Sequence, residues 1–378
     1  MNKDKRMKEP IRIAHIMGNM NSGGVEAVVM NYYRAMDRTQ VQFDFFVHKT
    51  SSFPQREEIE RLGGRYYFLP QYTRVFSYHR TLKRLLQENK YIAVHSHINT
   101  MSFFSLFAAF RAGVPVRICH NHSTAYWGEG VKTLLKYMLR PFAKLFATDY
   151  FACGERAGRW MYGNRCFKQG KVHVLPNAVD IERYRFRKDA RTALRQTFSI
   201  AEETLTIGHV GRYTYAKNHA FLLDIFAALH QEKSDSVLLL VGEGELETQI
   251  RKRIHALGLD DCVLLPGVRD DVNKIYSAMD VLCLPSYYEG MPVVLVEAQA
   301  SGLPCVVSDR VTDEIKSLHL IKRLSISETT AKWQQALISA GSAKRAGSAE
   351  QNEFDVSRHA KRLTHFYLEK WDRWNERR

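Results

Sequence analysis

Short apolar runs alternate along the chain with longer stretches whose apolar residues recur every three or four positions. The runs at 11–16, 43–47, 66–69, 92–95, 116–119, 149–153 and 172–175 predict strands. Between them, the stretches from Glu26 (Ala27, Val28, Val29, Met30, Tyr33), 56–62, 78–86 and 101–110 predict helices. The pattern resumes with strands at 205–210, 237–241, 262–265 and 281–284, and closes on a helix from 356 to about 374 with Leu363, Phe366, Tyr367, Lys370, Trp371 and Trp374 along one face. Such alternation predicts an α/β chain of doubly wound parallel sheets, whose ligands lie beyond the carboxyl ends of the strands.

Where one α/β pattern stops and the next starts, Pro176-Asn177-Ala178-Val179-Asp180 and the charged run 182–191 predict a linker. Two Rossmann-like domains are therefore expected, over 1–178 and 179–355, with the terminal helix at 356–378. Residues 341–352 are mostly small and polar, which predicts a flexible connection.

The strand at 281–284 leads through Pro285 into a loop ending Gly290-Met291-Pro292, then into a helix of about ten residues stopped by Gly302-Leu303-Pro304. A helix start preceded by glycine offers free N–H groups and a positive dipole end, which suit phosphate or sugar hydroxyls. Glu289 and Glu297 flank that start. Were both helical they would stand about 12 Å apart along the axis, wider than the roughly 5–9.5 Å of a glycosidase pair. Two separate hydrogen-bonding tasks fit this spacing, as do a cap at Glu289 and a solvated face residue at Glu297.

Other strand ends carry chemistry too. After the first strand comes Gly18-Asn-Met-Asn-Ser-Gly23-Gly24-Val25, a turn that lets the backbone approach an anion or merely joins strand to helix. It lacks the G-x-G-x-x-G spacing and the distal acidic residue of a dinucleotide site. Arg212 and Lys217 stand at R-x4-K spacing after the strand 205–210, where two cations could neutralise a departing diphosphate or lie solvated in a loop. The turns at Gly242–Glu245 and Gly267-Val268-Arg269 can bracket a nucleotide base. His95, His97, His120 and His122 also fall at strand ends, but without a cysteine or carboxylate at ligand spacing they are not read as a metal site.

The 378 residues include 55 Lys and Arg against 40 Asp and Glu, a formal charge of +15, which leaves phosphorylated substrates, nucleic acid and anionic lipid all open. The basic residues are scattered and match no nucleic-acid module, so no nucleic-acid partner is expected. Six cysteines show no C-x-x-C spacing and read as buried thiols. The basic N-terminus lacks an apolar h-region, and the apolar stretch 98–110 is too short to span a bilayer. A cytoplasmic protein is expected. In the segment 131–146, Lys132, Lys136, Arg140 and Lys144 recur every four residues among leucines and aromatics. This segment suits the face of an anionic membrane or a core-packed helix with a basic edge, and Pro141 should interrupt it.

Glu289-Gly-Met-Pro-Val-Val-Leu-Val-Glu297-Ala resembles the E-x7-E signature of retaining glycosyltransferases of family 4, and residues 11 to about 310 follow that family's order of motifs, closest to its bacterial exopolysaccharide-biosynthesis members. The resemblance implies the GT-B fold, two Rossmann-like domains facing across a cleft with the terminal helix returning to the first. It implies an acceptor on the first domain and a nucleotide sugar, with uridine the family expectation, on the second. Gly23-Gly24-Val25-Glu26 is similar to the family's diphosphate loop, and Arg117-Ile-Cys-His120-Asn-His122 to its active-site histidine segment. His120 is the choice there, with His122 the runner-up. By the same resemblance Glu289 and His120 hold the donor sugar, Arg212 and Lys217 the diphosphate, and Glu297 the ribose. Gly242, Val268 and Arg269 would lie along the nucleotide, with the backbone of Gly290, Met291, Pro292 and Val293 near the phosphates. With no D-x-D pair in the chain, transfer without a metal or other cofactor is expected. A leaving phosphate oxygen would take the acceptor's proton, so no general base is named. An epimerase or hydrolase of the same fold remains the alternative. The sequence departs from the family pattern at Ala178, where a glycine is usual, and after Pro304, where the usual glycine-rich stretch is missing.

Overall fold

In a computed structural model describing residues 9–21, 23–124, 131–315, 320–345 and 352–377, the chain separates into two units, Met1–Ala178 with Val356–Arg378, and Val179–Asp355. The first holds strands β1 (Ile11–Gly18), β2 (Val41–His48), β3 (Arg65–Leu69), β4 (Ala93–Ser96), β5 (Val116–Asn121), β6 (Asp149–Ala152) and β7 (Val172–Val174), hydrogen-bonded in the order β3-β2-β1-β4-β5-β6-β7. The second holds β8 (Leu205–Val210), β9 (Ser236–Val241), β10 (Val263–Gly267), β11 (Val281–Leu284), β12 (Cys305–Ser308) and β13 (Ile321–Leu324), in the order β10-β9-β8-β11-β12-β13. The paired strands are parallel, so helices must carry the chain back across each sheet. In both units the strand order reverses beside the first strand, which leaves a crevice at the carboxyl ends there.

Strand β2 is buried throughout, and it can carry a carboxylate because that carboxylate is fully partnered. Asp44 accepts from Arg12 Nε at 2.8 Å, Tyr91 Oη at 2.6 Å and the Arg65 amide at 3.0 Å. A buried charge without such partners would cost several kcal/mol. The helix Val356–Asn375 belongs to the first unit: Leu363 and Tyr367 are buried, Phe366 meets the Phe151 ring edge-on, and Lys370 Nζ lies 2.5 Å from Asp149 Oδ1.

In the second unit, Leu222, Leu223 and Phe226 of helix His219–Glu232 pack with Leu238, Leu240 and Trp333. Arg195, 1% exposed, satisfies its guanidinium on the carbonyls of Ala278, Ala201 and Glu202 and on Asp280 at 2.7 Å, tying helix Lys188–Thr197 to the entry of β11.

Three expectations change. The helix after β11 is Val293–Ala300, with Pro292 just outside it, because Pro292 has an extended ψ of 117°. The connection at 341–352 is tied down where it starts, since Arg345 donates to the carbonyls of Ser301 and Tyr276 and stacks on Phe186; residues 346–351 lie outside the described residues. Segment 131–146 is packed on one side only, with Thr133 and Ala143 buried and Phe146 against Phe103 and Phe107. It forms helix Val131–Leu139 and a short turn at Phe142–Lys144 on either side of Pro141, and Leu134, Leu135, Met138, Phe142 and Leu145 are 47–64% exposed.

Candidate functional site

The turns that leave β8, β9, β10 and β11 in the second unit are hydrogen-bonded to one another. Gly211 N donates to Val241 O, Gly242 N to Gly267 O, and Tyr213 N to Glu243 O at 2.8 Å. Gly242 has φ +140°, and a Cβ on it would come within 2.1 Å of Gly211 O. Only glycine lets these two backbones touch. The loop after β8 is joined to the loop after β11 by Tyr287 N donating to Ala216 O at 2.8 Å and by the stacked rings of Tyr215 and Tyr287.

Across that junction Lys217 Nζ stands 2.6 Å from Glu289 Oε1, which also accepts from Ser286 Oγ at 3.1 Å. Both side chains are mostly sheltered, 16% and 14% exposed, so the pair is held in one geometry. Glu289 therefore pairs with a cation and does not cap the helix, which has no side-chain cap. Arg212, in the same loop as Lys217, is exposed; its carbonyl accepts from Thr214 N at 2.8 Å, and its guanidinium makes no hydrogen bond among the described residues.

Glu297 does not join this group. It is 5% exposed, and its two oxygens accept from Tyr184 Oη at 2.8 Å and Tyr276 Oη at 2.7 Å. Burial raises its pKa and the two tyrosine hydrogen bonds oppose that rise. It is not a solvated face residue, because the helix Val293–Ala300 is buried nearly all round. Val268 is 45% exposed, and Arg269 makes a forked hydrogen-bond pair with Asp271. Two histidines that sequence reasoning passed over, His209 and His219, lie buried behind Lys217, and burial lowers their pKa values to about 4 and about 2.

In the first unit, helix Gly24–Ala35 begins directly after Gly23, and no side chain caps it among the described residues. Ser22 lies outside them. His120 lies at the end of β5 and His122 just beyond it, next to His95 in β4 and His97 just beyond that strand, and the register sets His15 of β1 opposite His95. All five are 7% exposed or less. Their rings form two edge-linked rows. In one, His15 Nδ1 lies 2.9 Å from His97 Nε2 and His97 Nδ1 2.9 Å from His122 Nε2; in the other, Tyr367 Oη lies 2.6 Å from His95 Nδ1 and His95 Nε2 3.0 Å from His120 Nδ1. Burial lowers the pKa of every one, to about 3 for His15 and His122. Ring nitrogens of His15, His95 and His97, and of His97, His120 and His122, lie within 4.8 Å of one another, close enough for three imidazoles to share an ion. The described contacts are pairwise hydrogen bonds, which leave His15 Nε2, His120 Nε2 and His122 Nδ1 buried without a partner among the described residues.

Residues 22–183 match the model of Glycosyltransferase Family 4, and residues 190–315 that of Glycosyl transferases group 1. The glycosyltransferase EpsF of Bacillus subtilis is 39% identical over 341 residues, covering 88% of each chain. The UDP-Gal:alpha-D-GlcNAc-diphosphoundecaprenol alpha-1,3-galactosyltransferase of Escherichia coli is 27% identical over 322 residues, 81% of each chain. The structure of Anabaena HepE in complex with UDP and glucose superimposes with a TM-score of 0.78 at 18% identity, over 95% of this chain and 99% of that one. With sheets of this order, turns of this kind and a relative of that closeness along nearly its whole length, the chain belongs to the family-4 glycosyltransferases of the GT-B fold.

Proposed function

We propose that the enzyme moves a sugar from a uridine diphosphate donor to a lipid-linked or saccharide acceptor in the synthesis of a bacterial exopolysaccharide or other surface polysaccharide, retaining the anomeric configuration and using no metal. The observation that carries this reading is the Lys217–Glu289 pair, fixed at 2.6 Å where the turns after β8 and β11 meet. Lys217 supplies a point charge, and Arg212 a planar fork free to close on the leaving diphosphate. The helix starts at Gly23–Gly24 and at Gly290, Met291 and Val293 add backbone N–H groups, with Pro292, which has none, setting the entry into the second helix.

The second unit takes the nucleotide sugar, with Gly242, Val268 and Arg269 along the nucleotide and Glu289 on the sugar. Glu297 reaches the ribose, since a carboxylate oxygen bound to one tyrosine keeps a second lone pair. The first unit takes the acceptor, and its His120 holds the donor sugar. The bond from the anomeric carbon to the β-phosphate oxygen breaks as the acceptor oxygen bonds to that carbon on the same face. The acceptor's proton passes to the leaving phosphate oxygen, so UDP departs and no protein base is needed. The UDP complex of HepE and the diphosphoundecaprenol substrate of the Escherichia coli relative support donor and acceptor class, and the similarity to a capsular polysaccharide glycosyltransferase, CapH of Staphylococcus aureus, supports the pathway.

Among the described residues no helix is long and apolar enough to cross a membrane. The exposed apolar residues of 131–146, with Lys136, Arg140 and Lys144, give a lipid-linked acceptor a surface to approach from, at the inner face of the cell membrane. The side chain of Lys132 lies outside the described residues. Vesicles containing anionic lipid should co-sediment the protein, and exchanging Leu134 and Met138 together for serine should abolish it; equal sedimentation of the variant removes the membrane role.

Melting in EDTA against a panel of nucleoside diphosphates tests the donor. UDP at a hundredfold excess over its dissociation constant should add about 2.7 kcal/mol, and the anomeric coupling in the NMR spectrum of the product should match that of the donor. Stabilisation that needs a divalent ion, or an inverted product, overturns the reading.

A further inference from the structure

The two histidine rows differ in one respect that gives one of them a direction. All five imidazoles are buried and held neutral, so each carries one N–H and one lone pair, and a chain of them can be polarised either way. In the row His15–His97–His122 nothing selects a sense. Its two end nitrogens, His15 Nε2 and His122 Nδ1, are both buried without a partner among the described residues.

The other row begins at a hydroxyl. Tyr367 is 0% exposed, and among the described residues its Oη has a single hydrogen-bond partner, His95 Nδ1 at 2.6 Å. Were His95 to donate to that oxygen, the phenolic proton at one end and the His120 Nε2 lone pair at the other would both be left unpaired in the core, whereas the opposite sense leaves one N–H unpaired, so the first is the more costly arrangement. The hydroxyl therefore donates. His95 must then carry its proton on Nε2, donate to His120 Nδ1 at 3.0 Å, and leave His120 protonated on Nε2. That nitrogen is buried and has no partner among the described residues. It is an N–H held ready for an acceptor that the chain itself does not supply.

We propose that Tyr367 and His95 are positioning residues that lock His120 as its Nε2–H tautomer, so that His120 donates a hydrogen bond to a ligand oxygen. Resting on the reading of the ligand as a nucleotide sugar, that oxygen belongs to a hydroxyl of the transferred sugar. The tautomer itself does not depend on that reading. The residue that sets the polarity lies on the helix Val356–Asn375, more than two hundred residues away in sequence from the histidine it controls.

The test uses the full chain labelled with 15N-histidine, with His120 assigned from a His120→Asn spectrum. In the wild type at pH 7.5, His120 should show a protonated, pyrrole-type Nε2 and an unprotonated Nδ1. In Tyr367→Phe, which keeps the ring and loses only the hydroxyl, the His95–His120 bond loses its fixed sense and His120 should become a mixture of tautomers. Turnover with the UDP-sugar should then fall about fivefold to tenfold, the worth of one hydrogen bond.

A wild-type His120 protonated on Nδ1 overturns the proposal even if the variant fails to fold, and so does a Tyr367→Phe spectrum in which His120 is unchanged. Absence of transfer from any nucleotide sugar, with the tautomer as described, refutes the ligand reading and leaves the relay standing.

Discussion

Lowering the pH from 7.5 to 5 is expected to unfold the first unit while the second still holds. His15, His95, His97, His120 and His122 all have folded pKa values pushed below the ordinary 6.5 by burial. An unfolded chain binds protons at these sites once the pH drops below about 6.5, and the folded one does not. Stability therefore rises with pH across this window; it is whole above 6.5 and is lost as pH falls toward the folded values, about 3 for His15 and His122. Each neutral imidazole contributes about 1.4 kcal/mol per pH unit, so five approach roughly 7 kcal/mol per unit. Against a total stability of about 5–15 kcal/mol, one to two units below 6.5 suffice. The second unit carries two such groups, His209 and His219, and should outlast the first. Circular-dichroism melts at pH 7.5, 6.5, 5.5 and 4.5, with hydrogen exchange to locate the opening, decide the matter. A melting temperature that stays level down to pH 5 would contradict the buried neutral cluster.

Replacing Arg212 by alanine should reduce kcat by a factor of about 10²–10³, the loss that follows removal of one donor to a developing anion. Its melting temperature should not change, because the exposed guanidinium makes no hydrogen bond among the described residues. Lys217→Ala should lose as much turnover and also melt earlier, since it strands Glu289 at 14% exposure. The double variant should fall short of the product of the two losses, as both cations serve one diphosphate. The contrast between the singles carries the information: activity lost with stability intact separates a cation that acts on substrate from one that holds the loop. Turnover by Arg212→Ala within about threefold of wild type would remove it from the diphosphate.

How far such a site can be read from sequence depends on whether its contacts are local. The strand–glycine–proline–helix grammar around Glu289 lies within one stretch of chain, and so does R-x4-K after β8; both were legible. The ion pair between Lys217 and Glu289 was not, because it joins loops 72 residues apart that only the β8–β11 pairing brings together. His15 was missed for a related reason. A lone histidine in an apolar strand carries no local signal, and only the register with β4 adds it to the cluster. The partners of Glu297 were hidden further still, since Tyr184 stands in the charged run taken for a linker and Tyr276 in a helix with no motif. By contrast β12 was available as the short apolar run after Pro304 and went unused once the family pattern ceased there. Along 131–146 the mixture of apolar and basic residues was visible, but which way they face is settled by packing alone.

The way the helix Val356–Asn375 closes the first unit also orders events on the ribosome. The residues of the second unit form one continuous segment, so its fold does not wait on the last helix. The first unit does wait, although it is translated earlier. Until Tyr367 and Leu363 emerge, the faces of Phe43, Phe151 and the histidine rows that this helix covers stay open to water. The half of the enzyme that is made first therefore cannot close before its last residues arrive, and a released chain cut short before residue 356 would hold every residue of the second unit but not of the first.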